Sequence, residues 1–457
     1  MLILLLTINL ISCWLYQWFK QPILLFIWLL LCLFASYAWV ERRCKVSVGQ
    51  LLWHSLRGLL WLPFSGLLAF GLWRYCWQPP SQWLDQFNQQ RWQILPLLLL
   101  AYCGLVWLAG HFSHNTWKES LLVLTGWVSR LVILAVSLLA FQVVITHLAL
   151  PYQRLSARIL WLFWLTGKYL LWLDLLLRLR QQRLQLSVKW WGLVLLLCFI
   201  GWSFSGQFFP RTSTTPQIIA HRGADQTSIP NTIPALKAVL PERPALAEID
   251  LQLTSDQHFV VSHDADTRRL TGKKKIIANT SLATLQRLTL AHSHRSIHYA
   301  TFGAYLAVAQ HAAQPLLIEM KPALSTNICN QFRQHYQLLL PPGTQFHSAR
   351  LQTVTRLQHE TSQSVGYILP FTVTALPATT ADFYSLDWHL LNPLVVAQAK
   401  KQGQLVYAWT VNQKWLFQAL RQFGVAAVIT DRTAQMQRQA NQPATYTSGL
   451  MLLLLNF

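Results

Sequence analysis

Apolar runs of roughly twenty residues recur through the first 208 residues of this 457-residue chain and then stop. A run of that length suits a helix crossing a ~30 Å hydrocarbon core. Seven stretches qualify, at residues 2–19, 23–40, 59–77, 94–110, 120–150, 159–177 and 190–208. Lipid offers no partner for a backbone amide, so such runs must close their hydrogen bonds within helices. The pattern predicts a multi-span α-helical membrane domain over 1–208, seven helices long. The first run has neither the basic start nor the small-residue cleavage site of a secretory leader, and a second run follows almost at once.

Tryptophan and charge agree with that reading. Nineteen of the 22 tryptophans precede residue 209, and Trp14, Trp18, Trp39, Trp77, Trp190 and Trp191 sit near the ends of the runs, as interfacial side chains do. Residues 1–208 carry 16 Lys/Arg against 4 acids and the remainder 21 against 12, so the halves contribute +12 and +9 to a net +21. In the first half the excess lies in two loops, one with Arg42, Arg43, Lys45 and Arg57, the other with Arg178, Arg180, Arg183 and Lys189. Placing both loops in the cytoplasm puts the N-terminus inside and everything after Phe208 outside, a multi-pass cell-membrane protein with an extracellular domain; Arg154 and Arg158 weigh against it. Within the runs, Arg130, Lys168 and Asp174 are costly unless paired or snorkelling. The i,i+4 spacing of Asp174 and Arg178 reads as a local surface pair, which leaves Lys168 as the better candidate for a role.

Six of the seven cysteines are scattered singly through the apolar part, and only Cys329 follows it, so no disulfide framework or zinc spacing is present. The charge pattern calls for no nucleic-acid partner.

Beyond a short Pro/Thr linker at 209–216 the period changes. Short apolar runs ("QIIAH", "ALAEIDLQLT", "HFVVSHD", "PLLIEMK", "QFHSAR", "SVGYILP", "ADFYSLD", "LVYAWTV", "AAVITD") alternate with helical stretches such as "TIPALKAVL" and "QKWLFQALRQFG". That alternation predicts an α/β domain over 217–435, a (β/α)8 TIM barrel by its size, followed by a tail at 436–457. A doubly wound sheet would be expected to open on a Gly-rich turn, and GxGxxG is absent.

In such a barrel, functional groups project from the C-terminal ends of the strands. Here those ends carry His221-Arg222, Glu248-x-Asp250, His263-Asp264, Glu319-x-Lys321 and Trp409. Unpaired carboxylates are expensive among apolar strand residues, so Glu248 and Asp250 call for a partner. Three carboxylates suit a hard divalent cation, Ca²⁺ or Mg²⁺. Arg222 and Lys321 suit phosphoryl oxygens, and two histidines supply an acid and a base near neutral pH. Together they fit phosphodiester cleavage. A lone strand-end histidine would more often be structural. His258, His292, His294 and His298 read as surface loop residues, and Lys273–Lys275 as a solvated turn.

The succession "AHRGADQTSIPNT", "AEIDLQLTSDQHFVVSHDADTRRLTG", "LLIEMK", "VYAWTVN" and "GVAAVITD" resembles the glycerophosphodiester phosphodiesterase family, from about Gln217 to Arg432. The apolar region is similar to that of membrane-bound members from Gram-positive bacteria. The resemblance implies a metal-dependent hydrolase releasing glycerol 3-phosphate and an alcohol from deacylated phospholipids, lipid head groups or polyglycerol phosphate at the membrane surface. It implies His221 and His263 as the acid/base pair, Glu248, Asp250 and Glu319 as metal ligands, Arg222 and Lys321 on the phosphate, and Trp409 in the wall of the glycerol pocket. One departure stands out: Pro230 occupies the place of the family's acidic residue before Asn231-Thr232, with Asp225 near enough in sequence to compensate. Alternative readings are a phospholipase C-like enzyme on the same barrel, or a catalytically impaired, membrane-anchored binding protein for anionic polymers or lipids.

Overall fold

The computed structural model describes residues 80–111, 117–145, 150–178, 209, 214–223, 228–290, 297–372 and 375–456. They divide into two compact units. One comprises the described part of 1–210 with 372–377 and 445–457, and the other the described part of 211–371 and 378–444.

The first unit is helical. Helices α1 (Ser81–His111) and α3 (Leu150–Arg178) cover two of the expected spans, 94–110 and 159–177, and run past them, while α2 (Trp117–Ile145) begins before the expected 120–150 and ends at Ile145. The stretch "SQWLDQFNQQR", expected as a loop, is the first third of α1. Hydropathy marks only the apolar part of a helix, whereas Pro80 just before Ser81 and Pro151 at the start of α3 fix backbone angles that suit a helix start. Among the described residues one helix, α2 over Thr125–Val144, is long and apolar enough to cross a membrane. The runs at 2–19, 23–40, 59–77 and 190–208, the lysine at Lys168 and most of the two basic loops lie outside the described residues or side chains. Asp174 pairs across the bundle with Arg130, Nη1 to Oδ2 at 2.6 Å. The Arg178 side chain expected beside it lies outside the described ones.

The second unit is a closed barrel. Its strands are β1 (Gln217–Ala220), β2 (Leu246–Leu253), β3 (Phe259–Val261), β4 (Leu316–Met320), β5 (Gln345–Ser348), β6 (Val365–Leu369), β7 (Phe383–Asp387), β8 (Leu405–Trp409) and β9 (Ala427–Thr430). Eight of them pair in parallel in the order β1-β2-β4-β5-β6-β7-β8-β9, and β1 closes on β9. The exception is β3, which folds back antiparallel along β2 with Leu251 opposite Val261. "HFVVSHD" is therefore the return arm of a hairpin rather than a barrel strand, because "TSDQ" supplies a tight turn where a crossover would need a dozen residues.

Helices α4 (Ile233–Val239), α5 (Phe302–His311), α6 (Thr326–Tyr336), α7 (Leu351–Glu360), α8 (Pro393–Lys401), α9 (Lys414–Phe423) and α10 (Thr433–Ala440) follow strands, and short helical turns fill 268–286. Side chains begin the helices where the pattern asks: Thr232 caps the N-terminus of α4 by accepting from the Ala235 amide, and Asn392 that of α8. The barrel interior is filled by Ile219, Leu246, Leu317, Phe383, Tyr407, Ala427 and Ile429. Phe383 stacks on Tyr407 with ring centroids 4.2 Å apart. Gly366 on β6 makes room for that ring, since a Cβ there would come within 2.1 Å of it.

Helix α11 (Tyr446–Asn456), the apolar tail, belongs to the helical unit and packs on α3 and α2. Its leucines Leu450, Leu452 and Leu453 are fully buried.

Candidate active site

The turn after β1 sets the geometry. Arg222 and Gly223 both take left-handed backbone angles (φ 56° and 55°), a conformation that costs a side-chain-bearing residue roughly 1–2 kcal/mol. It aims the Arg222 amide at Glu248, donating to Oε2 at 2.8 Å. Only glycine fits next, because a Cβ on Gly223 would meet the Tyr305 hydroxyl at 2.2 Å. This explains the chemistry of "HRG": the arginine carries the strain and the glycine gives the space.

Glu248 and Asp250 lie two residues apart on β2 and are both buried, as side chains alternating toward one face require. Asp250 meets three side chains. Its Oδ2 accepts from Asn231 Nδ2 at 2.7 Å, its own amide donates to Asn231 Oδ1, and Lys321 Nζ lies 2.9 Å from Oδ1. Arg222 Nε stands 3.7 Å away. Lys321 also reaches Glu319 Oε1 at 2.7 Å.

Burial opposes ionisation of Asp250, yet Lys321, His263 and Arg222 overcome it and hold the carboxyl far below its usual range. Burial likewise opposes the Lys321 charge, and Asp250 and Glu319 reverse that and raise its pKa. Glu319 is different: burial, with Asp250 and Glu248 nearby, keeps its pKa above the ordinary carboxylate value despite Lys321.

Among the described residues, Glu248, Glu319 and His347 offer donor atoms that lie within 4.8 Å of one another. The register places His347 on β5 directly beside Glu319 on β4. His347 Nε2 is 3.8 Å from Glu248 Oε1, the residue is only 3 % exposed, and neither ring nitrogen has a hydrogen-bond partner. Crowded buried carboxylates and an unpartnered imidazole fit a divalent cation.

The two sequence-predicted histidines sit in different surroundings. His221 Nδ1 meets Asp431 Oδ1 at 2.6 Å. That carboxyl is ionised, since burial is outweighed by His221 and Asn412, so it accepts the Nδ1 proton and leaves Nε2 for proton transfer. Asn412 fixes Asp431 in turn, donating to Oδ2 at 2.6 Å and accepting from the Asp431 amide. Burial lowers the affinity of His221 for a proton, but Asp431 and Glu248 outweigh it and its pKa rises above the usual imidazole value.

His263 reaches the mouth because β3 runs back along β2: the Ser262 amide donates to the Asp250 carbonyl at 2.9 Å. Its Nδ1 meets Asp264 Oδ1 at 2.9 Å, and Arg269 holds the other oxygen at 2.6 Å. Burial lowers its pKa, helped by Lys321 and only partly offset by Asp250. Trp409, half-buried at the end of β8 opposite Asp387, packs on the barrel interior.

The structure thus brings together His221, Arg222, Glu248, Asp250, His263, Glu319 and Lys321, and adds His347, Asn231, Asp431 and Asn412, which the sequence reading passed over. Pro230 precedes the Asn231 that serves Asp250; Asp225 lies outside the described residues, as do His292 and His294. His258 and His298 are exposed in loops, and Lys273–Lys275 are solvated.

The pattern of the Glycerophosphoryl diester phosphodiesterase family matches residues 221–435. The domain belongs to this family. Its match begins at His221 and ends in α10, so it takes in every group described above. The same half of the chain is 27 % identical over 234 residues to YhdW of Bacillus subtilis (strain 168), named for the same activity, and 24 % identical over 226 residues to a glycerophosphodiester phosphodiesterase of Caldanaerobacter subterraneus subsp. tengcongensis. Each match covers 47 % of this chain and 93 % of the relative. Among solved structures, a phosphodiesterase of Oleispira antarctica in complex with sn-glycerol-3-phosphate aligns over 50 % of this chain and 98 % of its own, at 23 % identity and a TM-score of 0.45. A glycerophosphodiester phosphodiesterase of Thermotoga maritima aligns at 18 % identity and a TM-score of 0.41 over 50 % of this chain and 99 % of its own.

Proposed function

We propose that the barrel hydrolyses glycerophosphodiesters to glycerol 3-phosphate and an alcohol, that a divalent cation serves the site, and that the apolar region anchors it at a membrane. The observation that carries the reading is the pairing of two carboxylate-bound histidines with opposite pKa shifts around one cluster of carboxylates, Arg222 and Lys321.

Environments that push two titratable groups apart assign their roles. His221, with its pKa raised, holds a proton on Nε2 and gives it to the leaving alcohol oxygen as the phosphorus–oxygen bond breaks. His263, with its pKa lowered, is neutral and takes the proton of the attacking hydroxyl or water. General acid and base catalysis of this kind is worth ~10²–10⁴-fold per group. Arg222 and Lys321 hold the nonbridging oxygens, the guanidinium by its planar fork, and Trp409 walls the pocket for the glycerol carbons. A divalent cation held by Glu248 and Glu319, Ca²⁺ or Mg²⁺ on carboxylate chemistry alone, would polarise the phosphoryl oxygens. Asp250 sets the position of Lys321. Neither alternative is favoured by any group in the site.

The membrane part of the reading rests on the apolar runs, the Trp positions and the basic loops. With both basic loops inside, the barrel lies outside the cell, and the linker at 209–216 reaches at most about 25 Å at ~3.3 Å per residue. Membrane-proximal phosphodiesters are then the substrates within reach.

The test is an assay of the purified full-length protein against glycerophosphocholine, a lysophospholipid and a polyglycerol phosphate, each with added divalent cation or chelator. Release of glycerol 3-phosphate that stops on chelation supports the reading; no turnover of any of the three overturns it. Protease added to intact spheroplasts should digest the barrel, and its protection would overturn the topology.

A further inference from the structure

The buried imidazole of His347 has no work in the mechanism above, yet it stands where a cation would bind. A ring nitrogen sealed from water normally finds a partner, and leaving a buried polar group unsatisfied costs ~1–3 kcal/mol. Here both nitrogens lack a hydrogen-bond partner among the described residues, in a residue 3 % exposed, beside two carboxylates that press on each other. The register fixes this meeting. His347 pairs with Glu319 across β5 and β4, and Glu319 with Asp250 across β4 and β2, so the three side chains share the inner face. Asp250, the third carboxylate, gives one oxygen to Asn231 and stands 2.9 Å from Lys321 by the other, while Lys321 also reaches Glu319; His347 is the one nitrogen donor in the set.

We propose that His347 is a metal ligand together with Glu248 and Glu319, making a mixed nitrogen–oxygen site that takes a borderline divalent cation such as Mn²⁺, Co²⁺ or Zn²⁺ in preference to Ca²⁺ or Mg²⁺. Imidazole is a poor ligand for the hard alkaline-earth ions, which prefer all-oxygen sets, and a good one for the later transition metals. Glu248 and Glu319 serve either class, so His347 decides between them. The inference rests on the proposed cation site, and not on the identity of the substrate.

The experiment uses the full-length protein in detergent, stripped of metal and reloaded with Mn²⁺ alone, Co²⁺ alone or Ca²⁺ alone. Pulsed electron paramagnetic resonance of bound Mn²⁺ should show hyperfine coupling to an imidazole nitrogen, and His347→Gln should remove it. Calorimetric titration should show His347→Gln weakening Mn²⁺ by about tenfold or more while Ca²⁺ changes far less. Absence of nitrogen coupling in the unaltered protein overturns the proposal whether or not the variant folds, and so does coupling that survives His347→Gln. A Ca²⁺ affinity that falls as far as Mn²⁺ overturns the selectivity. Hydrolysis is assayed in parallel: nitrogen coupling without turnover of any glycerophosphodiester keeps the metal assignment and sinks the functional reading.

Discussion

The helical unit and the barrel solve the burial problem in opposite directions. Among the described residues, sixteen of the twenty exposed large apolar side chains lie on α1–α3, with Val128, Val132, Ile133 and Val136 on one helix alone. Beneath them Gln142, Gln153 and Ser156 are buried, with Gln142 bonded to the other two, and a partly exposed Arg130 pairs with Asp174. The barrel exposes only Ile276, Leu338, Leu339 and Leu405 from that set, and its interior is aliphatic and aromatic except at the mouth. Apolar surface on this scale marks a site of interaction in a water-soluble protein and is the ordinary exterior of a helix in lipid. On the proposed membrane reading each unit is judged against its own solvent: buried polarity in the helices would be scaffolding, while at the barrel mouth it would be chemistry.

The largest effect separates the two units cleanly. His221→Ala and His263→Ala should each lower turnover by ~10²–10⁴-fold and leave membrane partition and circular dichroism unchanged. Steady-state kinetics on the detergent-purified variants measures this; near-full activity in either would withdraw the acid/base assignment. The converse dissociation comes from Ile133, 63 % exposed on α2. Ile133→Arg should cost ~2.5–3.5 kcal/mol of insertion and lower the amount of protein in the membrane fraction. Leu338→Arg, at a position 95 % exposed on the barrel unit, should fall within about ±0.5 kcal/mol. Equal tolerance of the two arginines would break the comparison.

These contrasts were unequally legible in the sequence. The charged pairs in β2 and β4 stand out because a carboxylate or lysine inside an apolar run has few explanations, and the turn after β1 announces itself by a glycine at its tightest point. His347 is not legible, although "QFHSAR" reads as a strand: a single histidine gains meaning only when β5 is registered against β4 and its face is known, which is a non-local fact. Asp431 was hidden in the same way, since its partner lies 210 residues away. The hairpin of β3 reads as a barrel step in the sequence, because hydropathy records a strand but not its direction.

A smaller effect concerns pH. His221 lies above the ordinary imidazole value because burial is outweighed by Asp431 and Glu248, and His263 lies below it because burial dominates. A protonated acid and a neutral base give a bell-shaped profile of kcat/KM, falling on the acid side through the His263 pKa and on the alkaline side through that of His221. Asp431→Asn removes the carboxylate that raises His221, so the alkaline limb should move to lower pH while the acid limb stays. A pH–rate series on both proteins reads this; an alkaline limb that does not move would show that Asp431 only supports the fold.

The smallest effect tests whether buried polarity in the helices is scaffolding. Gln142 accepts from the Ser156 hydroxyl at 2.7 Å and donates to the Gln153 carbonyl at 3.2 Å. In water, breaking such a buried set would cost the desolvation of each abandoned group, ~1–3 kcal/mol. Between helices in a bilayer the measured worth of a polar contact averages only ~0.6 kcal/mol, because the separated helices also find partners. Gln142→Leu should therefore lower stability by about that amount in denaturant titrations of the protein in mixed micelles, with turnover unaffected. The matching change in the barrel, Asn231→Leu, abandons Asp250 in a protein interior surrounded by water and should cost the larger figure and activity as well. If Gln142→Leu proved as damaging as Asn231→Leu, the helical unit would be behaving as a water-soluble bundle, and its exposed valines and isoleucine would need a protein partner rather than lipid.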